Sequence, residues 1–188
     1  MRSAQTGPAR DNQSVHGRPG GVHADDPLRQ HVGVMPESVP IRPYSYRQDP
    51  HVPDFDDASP VAFMDGECVL CTRGARMIVR LDRRLGIRVC PVNSPLGQAM
   101  LGHLGLDPDD TETWVYLRDG VAHTSLAAII MLGRDIGGPG HLLAPLALLP
   151  RVAQDWLYRR IARNRYAMFG RTDMCAVPDE RLRRRLLT

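Results

Sequence analysis

The chain changes character at residue 58, and that break limits what it can fold into more than any other feature. Residues 1–57 hold polar runs, scattered histidines and prolines at 8, 19, 27, 36, 40, 43, 50 and 53. The apolar residues between them follow neither the two-residue period of a strand nor the 3.6-residue period of a helix. Such a segment buries too little surface to offset the entropy of ordering it. It reads as a disordered N-terminal tail, or as upstream sequence carried in by a misassigned start. The folded domain is expected over residues 58–176, with residues 177–188 as a basic C-terminal tail.

From residue 58 short apolar runs alternate with amphipathic stretches. Pro60-Val61-Ala62-Phe63-Met64 reads as a buried strand that Asp65-Gly66 ends. A helix follows, with Leu70, Gly74, Met77, Ile78, Leu81 and Leu85 on one face and Arg73, Arg76, Arg80, Arg83 and Arg84 on the other; Gly86 stands where it would stop. Ile87 to Val92 alternates as a second strand, and Pro91 marks its end or a sheet edge. Ser94-Pro95 is a helix cap followed by proline at the first helical position. Beyond the loop Asp107-Pro108-Asp109-Asp110, Trp114 to Leu117 forms the third strand. Asp119-Gly120 then turns a hairpin into Val121-Ala122-His123. Ser125 is placed to cap a helix through Leu132, Gly137 to Gly140 breaks it, and Pro150 opens an arginine-rich helix that Gly170 stops. A parallel pair needs a right-handed crossover and the hairpin adds an antiparallel strand. The expected fold is therefore α/β, a mixed four-stranded sheet flanked by helices, with further helices at the C-terminal end.

Composition excludes several chemistries. All 24 basic residues are arginines, so no lysine exists for a Schiff base or a P-loop. Net charge is only +3, too little to imply nucleic acid. No apolar run is long enough to span a bilayer. The polar start after Met1 lacks the apolar core of a secretory signal, and four cysteines are too few for a disulfide scaffold. A cytoplasmic, reducing location is the expectation.

The chemistry is carried by Cys68-Val69-Leu70-Cys71, where the first strand hands over to the first helix. Cysteines three apart on a helix face the same side, within disulfide reach. The first lies where free N–H groups and the helix dipole favour a thiolate, the species that attacks a disulfide. Cys68 is thus the expected nucleophile, reachable from solvent, and Cys71 the resolving thiol. Two sulfurs carry the electrons, so no organic cofactor is needed, and the partner is a disulfide-containing protein or a small thiol. Asp65 either orients the dithiol and relays a proton or caps the turn. Arg73 and Arg76 are candidate thiolate or substrate contacts, and Cys175 is a candidate third redox thiol. Cys90 reads as a small buried strand residue.

Asp65-Gly66-Glu67-Cys68-Val69-Leu70-Cys71 resembles the Asp-x-x-Cys-x-x-Cys signature of the DCC family of thiol-disulfide oxidoreductases. The likeness continues through Leu81-Asp82-Arg83-Arg84 and resumes in Leu149-Pro150-Arg151, Tyr158 to Tyr166 and Phe169-Gly170-Arg171, followed by Cys175. It covers about residues 60–176. The resemblance implies a thioredoxin-like fold and a redox dithiol, and puts Thr113 where thioredoxin-like proteins often carry a substrate-facing cis-proline.

Two competing readings remain. One is a non-catalytic interaction module with a structural or zinc-bound cysteine pair. Cys-x-x-Cys is half of a tetrahedral zinc site, but the second pair is missing, and Cys90, Cys175, His103 or His123 would have to complete it. No metal is therefore expected. The other concerns residues 151–188, which hold ten arginines against four acids. With the leucine-rich stretch 142–149 before them, peripheral membrane contact is a better candidate than nucleic acid.

Overall fold

The computed structural model describes residues 42–107, 113–176 and 179–187. Residues 1–41 of the expected tail, and Pro108, Asp109 and Asp110 of the expected loop together with residues 111 and 112, lie outside the described residues, as do residues 177, 178 and 188 of the expected C-terminal tail.

Four short strands form one sheet: β1 (Val61–Met64), β2 (Arg88–Pro91), β3 (Val115–Arg118) and β4 (Val121–Thr124), in the order β2-β1-β3-β4. β1 and β2 are parallel, with Phe63 opposite Cys90, while β3 runs antiparallel to both β1 and β4. Helix α1 (Val69–Leu81) makes the crossover between the parallel pair. The mixed four-stranded α/β sheet is the predicted one, in keeping with a thioredoxin-like fold. Asp119 and Gly120 both take positive φ, the geometry of the tight hairpin their sequence announces.

Alternation along β1 divides the core. Val61 and Phe63 pack with Leu96, Met100 and Leu101 of α2 (Pro95–His103), whereas Ala62 and Met64 pack with Ile78 of α1 and Leu132 of α3 (Ser125–Ile136). At the start of α2, Ser94 Oγ accepts the Gly97 N–H at 3.1 Å, the predicted cap. Gly97 is required there, because a Cβ would come within 2.3 Å of the Pro91 carbonyl oxygen.

Three local expectations fail, two of them to a hydrogen bond that competes with periodicity. Helix α1 ends at Leu81 rather than Gly86, because the Asp82 carboxylate accepts the N–H groups of Arg84, Leu85 and Ile87 at 3.1, 2.9 and 2.7 Å. Its buried residues are Thr72, Ala75, Ile78 and Val79, and Met77 is left exposed. Ser125 does not cap α3. Thr124 holds the N-cap position, while Ser125 adopts a left-handed φ of 55° and donates its N–H to the Trp114 carbonyl.

Packing also begins earlier and ends later than the sequence suggests. Tyr46 and Val52 are buried against the α2 side of the sheet, and His103 meets Asp49 at 2.7 Å and Ser45 at 2.9 Å. At the other end, α5 (Glu180–Arg183) buries Leu182. Arg185 then donates to Asp82 at 2.8 Å, and backbone bonds from Val89 to Arg185 and from Leu187 to Val89 cover the open edge of β2. Residues 42–57 and 179–187 thus belong to the packed body. Isolated anchors joined by turns have no period for sequence reading to detect.

The leucine-rich stretch forms a 3-10 helix, Gly138–Leu148, in which no residue is buried. Gly133 and Gly140 permit its close approach to α3, since a Cβ on Gly140 would meet the Gly133 carbonyl oxygen at 2.2 Å. Helix α4 (Arg151–Phe169) follows. Among the described residues no helix is long and apolar enough to cross a membrane.

Candidate functional site

The site forms where β1 runs out. Asp65, the residue after the strand, is 3% exposed, and its Oδ1 accepts the Glu67 N–H at 2.7 Å. That turn brings Cys68 to the N-cap of α1 with extended backbone, and its carbonyl accepts the first helical bond, from Thr72 N–H at 2.9 Å. Cys71 follows one turn later, and both are free thiols. The Cys71 thiol lies near the Cys68 sulfur. Burial, the charge and proximity of Cys68 and the Asp65 carboxylate together push the Cys71 thiol up to about 12; Arg165 pulls the other way.

Arg165 comes from the inner face of α4, a hundred residues along the chain. Its Nη2 and Nε donate to Asp65 Oδ2 at 2.7 and 3.2 Å, and the Tyr166 hydroxyl donates to the same oxygen. The Arg165 and Asp65 side chains are 4% and 3% exposed. Burial works against the charged guanidinium, but the Asp65 and Tyr166 contacts outweigh it, so its pKa lies above the usual arginine value. A bare carboxylate beside the dithiol would oppose thiolate formation. Paired with Arg165, it no longer presents an uncompensated charge.

The segment that follows α4 lies over the dithiol turn. Gly170, at φ 82°, ends the helix and accepts the Val69 N–H at 3.3 Å. Thr172 and Met174 donate their N–H groups to the carbonyls of Glu67 and Gly66, both at 2.8 Å, and Arg171 bridges Cys68. Arg171 also pairs with Glu67 at 2.9 Å and lies 4.1 Å from the Tyr166 ring centre. Under this cover Cys68 is 0% exposed, whereas Cys71 is half-buried. The expectation of a solvent-reachable leading sulfur is not met.

The other predicted residues are more dispersed. Arg73 is exposed, and Arg76 pairs with Asp179 at 3.1 Å, tying α1 to the start of α5. The cation acting on Cys71 is Arg165. Thr113 is buried at the approach to β3, and the register that pairs Phe63 with Val115, counted two residues on, sets it across from Asp65. Cys175 is exposed just past Met174, and its charge is felt by Cys90. Cys90 is fully buried, 3.3 Å from Ser94 Oγ, and burial pushes its thiol up to about 11. Among the described residues, no three histidine, cysteine, aspartate or glutamate side chains form a metal-binding group.

Sequence reading set Arg165 and Tyr166 only within the basic stretch considered for membrane or nucleic-acid contact and gave them no part in the dithiol site. A signal was present: Tyr158, Ala162, Arg165 and Phe169 fall on one helical stripe, so one arginine of α4 interrupts the face that must pack.

The family model for DCC1-like thiol-disulfide oxidoreductase matches residues 62–171. The uncharacterized protein YuxK of Bacillus subtilis (strain 168) is 32% identical over 127 residues, covering 68% of this chain and 93% of that protein. The DCC family protein At1g52590, chloroplastic, of Arabidopsis thaliana is 34% identical over 121 residues, covering 64% of this chain and 70% of that protein. No solved structure matches.

Proposed function

The chain belongs to the DCC1-like thiol-disulfide oxidoreductase family, and from that premise we propose that it exchanges disulfides through Cys68 and Cys71. The observation that carries this reading is the pair of neighbouring free thiols at the mouth of α1, Cys68 at its N-cap and Cys71 one turn on. Cys68, as thiolate, attacks one sulfur of a substrate disulfide and forms a mixed disulfide, while the other substrate sulfur leaves as a thiolate. Cys71 gives up its proton and attacks the Cys68 sulfur, which releases the second substrate thiolate. The dithiol loses two electrons to become the Cys68–Cys71 disulfide, the substrate gains them, and the protons end on the released thiols. Asp65, Arg165 and Tyr166 are positioning residues: they hold the dithiol turn and balance charge beside it.

Cys68 is 0% exposed, so reaction there requires a neighbouring segment to move aside, and residues 170–174, bonded to the turn on either side of it, are the candidate. Three backbone groups of α1 and its preceding turn are held by that segment, and Gly170 supplies the conformational freedom at its start.

Cysteine substitution tests the proposal. Cys68→Ser should abolish disulfide reduction, and Cys71→Ser should accumulate a covalent adduct with an added disulfide substrate. Alkylation of the reduced protein should reach exposed Cys175 first. It should then modify Cys71 at a rate that keeps rising with pH toward about 12, because the thiol stays protonated below that value. Undiminished reduction by Cys68→Ser would refute the mechanism. So would thiols at 68 and 71 that cannot be cycled reversibly, which would instead favour a structural cysteine pair.

A further inference from the structure

Helix α4 has a second face that the dithiol does not use. Val152, Trp156, Arg159, Arg160 and Arg163 lie within one arc of the helix, turned away from Asp65. Val152 is 80% exposed and Trp156 64%. In the stretch leading into them, Leu142 is 80% and Leu148 86% exposed. Isolated exposed leucines are ordinary, but here they are contiguous in sequence with Val152 and Trp156 and none has a core to join. Trp156, Arg159, Arg160, Arg163 and Asn164 also line a shallow cleft of about 310 Å³.

We propose that this face, from the 3-10 helix through the outer side of α4, docks on an anionic phospholipid surface. The inference is independent of the dithiol reading. Charge complementarity names the occupant: α4 carries Arg151, Arg159, Arg160, Arg163 and Arg165 against a single acid, Asp155, and of these only Arg165 is buried. Exposed leucine and valine side chains suit acyl chains better than the flat polar edges of nucleic acid. Tryptophan beside arginine suits the headgroup layer, where an amphipathic ring and a long charged stem both keep one end wet. The helix lies along the surface, since it is too polar to enter it.

The full-length protein should co-sediment with vesicles of phosphatidylcholine containing phosphatidylglycerol and not with phosphatidylcholine alone, and high salt should release it. Replacing Arg159, Arg160 and Arg163 together by Gln should weaken binding about a hundredfold, each surface arginine contributing about fivefold. Trp156 emission should shift to the blue on the anionic vesicles, and Trp156→Phe should remove that shift while the more sheltered Trp114 stays unchanged. Disulfide reduction in solution should be the same in the triple variant as in the parent chain, so failure of one reading leaves the other intact. Equal binding to neutral vesicles, an unaffected triple variant, or retention by RNA in place of vesicles would overturn the proposal. Concentration-dependent dimerisation that Trp156→Ala abolishes would overturn it too, by assigning the face to a second copy of this chain.

Discussion

Arg165 and Arg160 sit five residues apart on one helix and have opposite fates. Arg160 projects into solvent among other arginines, whereas Arg165 is 3% exposed and holds a buried carboxylate next to a thiol. The residue type is the same and the helix is the same. What separates them is which side of α4 faces the end of β1. A buried ion pair acquires its importance from desolvation: the charges cannot return to water without unfolding, so removal of one leaves the other stranded. An exposed arginine has water as its alternative partner and matters only if something anionic arrives.

The sharpest test of that contrast is substitution at both positions. Arg165→Gln should cost about 3–5 kcal/mol in urea unfolding, because Asp65 is left buried without its cation. Arg160→Gln should stay within about 0.5 kcal/mol of the parent chain. Equal effects would mean that the Asp65–Arg165 pair is no more than surface decoration. Tyr166→Phe comes next in size. It deletes one donor to Asp65 Oδ2 but leaves the guanidinium in place, so a loss of about 1.5 kcal/mol is expected, at the lower end of the range for bonds to charged groups. The same variant should leave alkylation of Cys175 unchanged while altering that of Cys71. A purely structural tyrosine would not separate the two.

The inner face of α4 was harder to read from sequence than the sheet it packs on. β1 to β4 announced themselves by apolar runs and by Asp119-Gly120, and α2 by its Ser94-Pro95 cap, all local signals within a few residues of what they specify. The dithiol was equally local, as two cysteines at one helix start. Its surroundings were not. Asp65 and Arg165 are a hundred residues apart, and pairing them requires knowing how α4 docks; no spacing encodes that. The arginines nearest in sequence do not join that pair: Arg73 is exposed and Arg76 meets Asp179. The cover over Cys68 was invisible for the same reason, since its contacts are backbone hydrogen bonds that any sequence could make. Even so, the quoted Tyr158-to-Tyr166 and Phe169-Gly170-Arg171 runs fall on the residues that complete the site.

Between the buried and the exposed arginines stands Arg171, and its effect should be small. Its side chain is 65% exposed, its partner Glu67 is 55% exposed, and it rests against the Tyr166 ring. Geometry alone would make it the clasp of the segment that covers Cys68. Magnitudes argue otherwise. An exposed ion pair contributes about 0–1 kcal/mol, and an exposed cation over an aromatic ring about 0.5–1 kcal/mol. The segment is also tied by three backbone hydrogen bonds and by Met174, which is 0% exposed. Arg171→Gln should therefore lower stability by less than about 1 kcal/mol and raise alkylation of Cys68 only a few-fold. Met174→Ala should free it far more, since a buried methionine replaced by alanine costs about 2–5 kcal/mol. If Arg171→Gln alone exposes Cys68 as fully as Met174→Ala does, the cover is an electrostatic latch, and the distinction between buried and exposed arginines fails where it touches the dithiol.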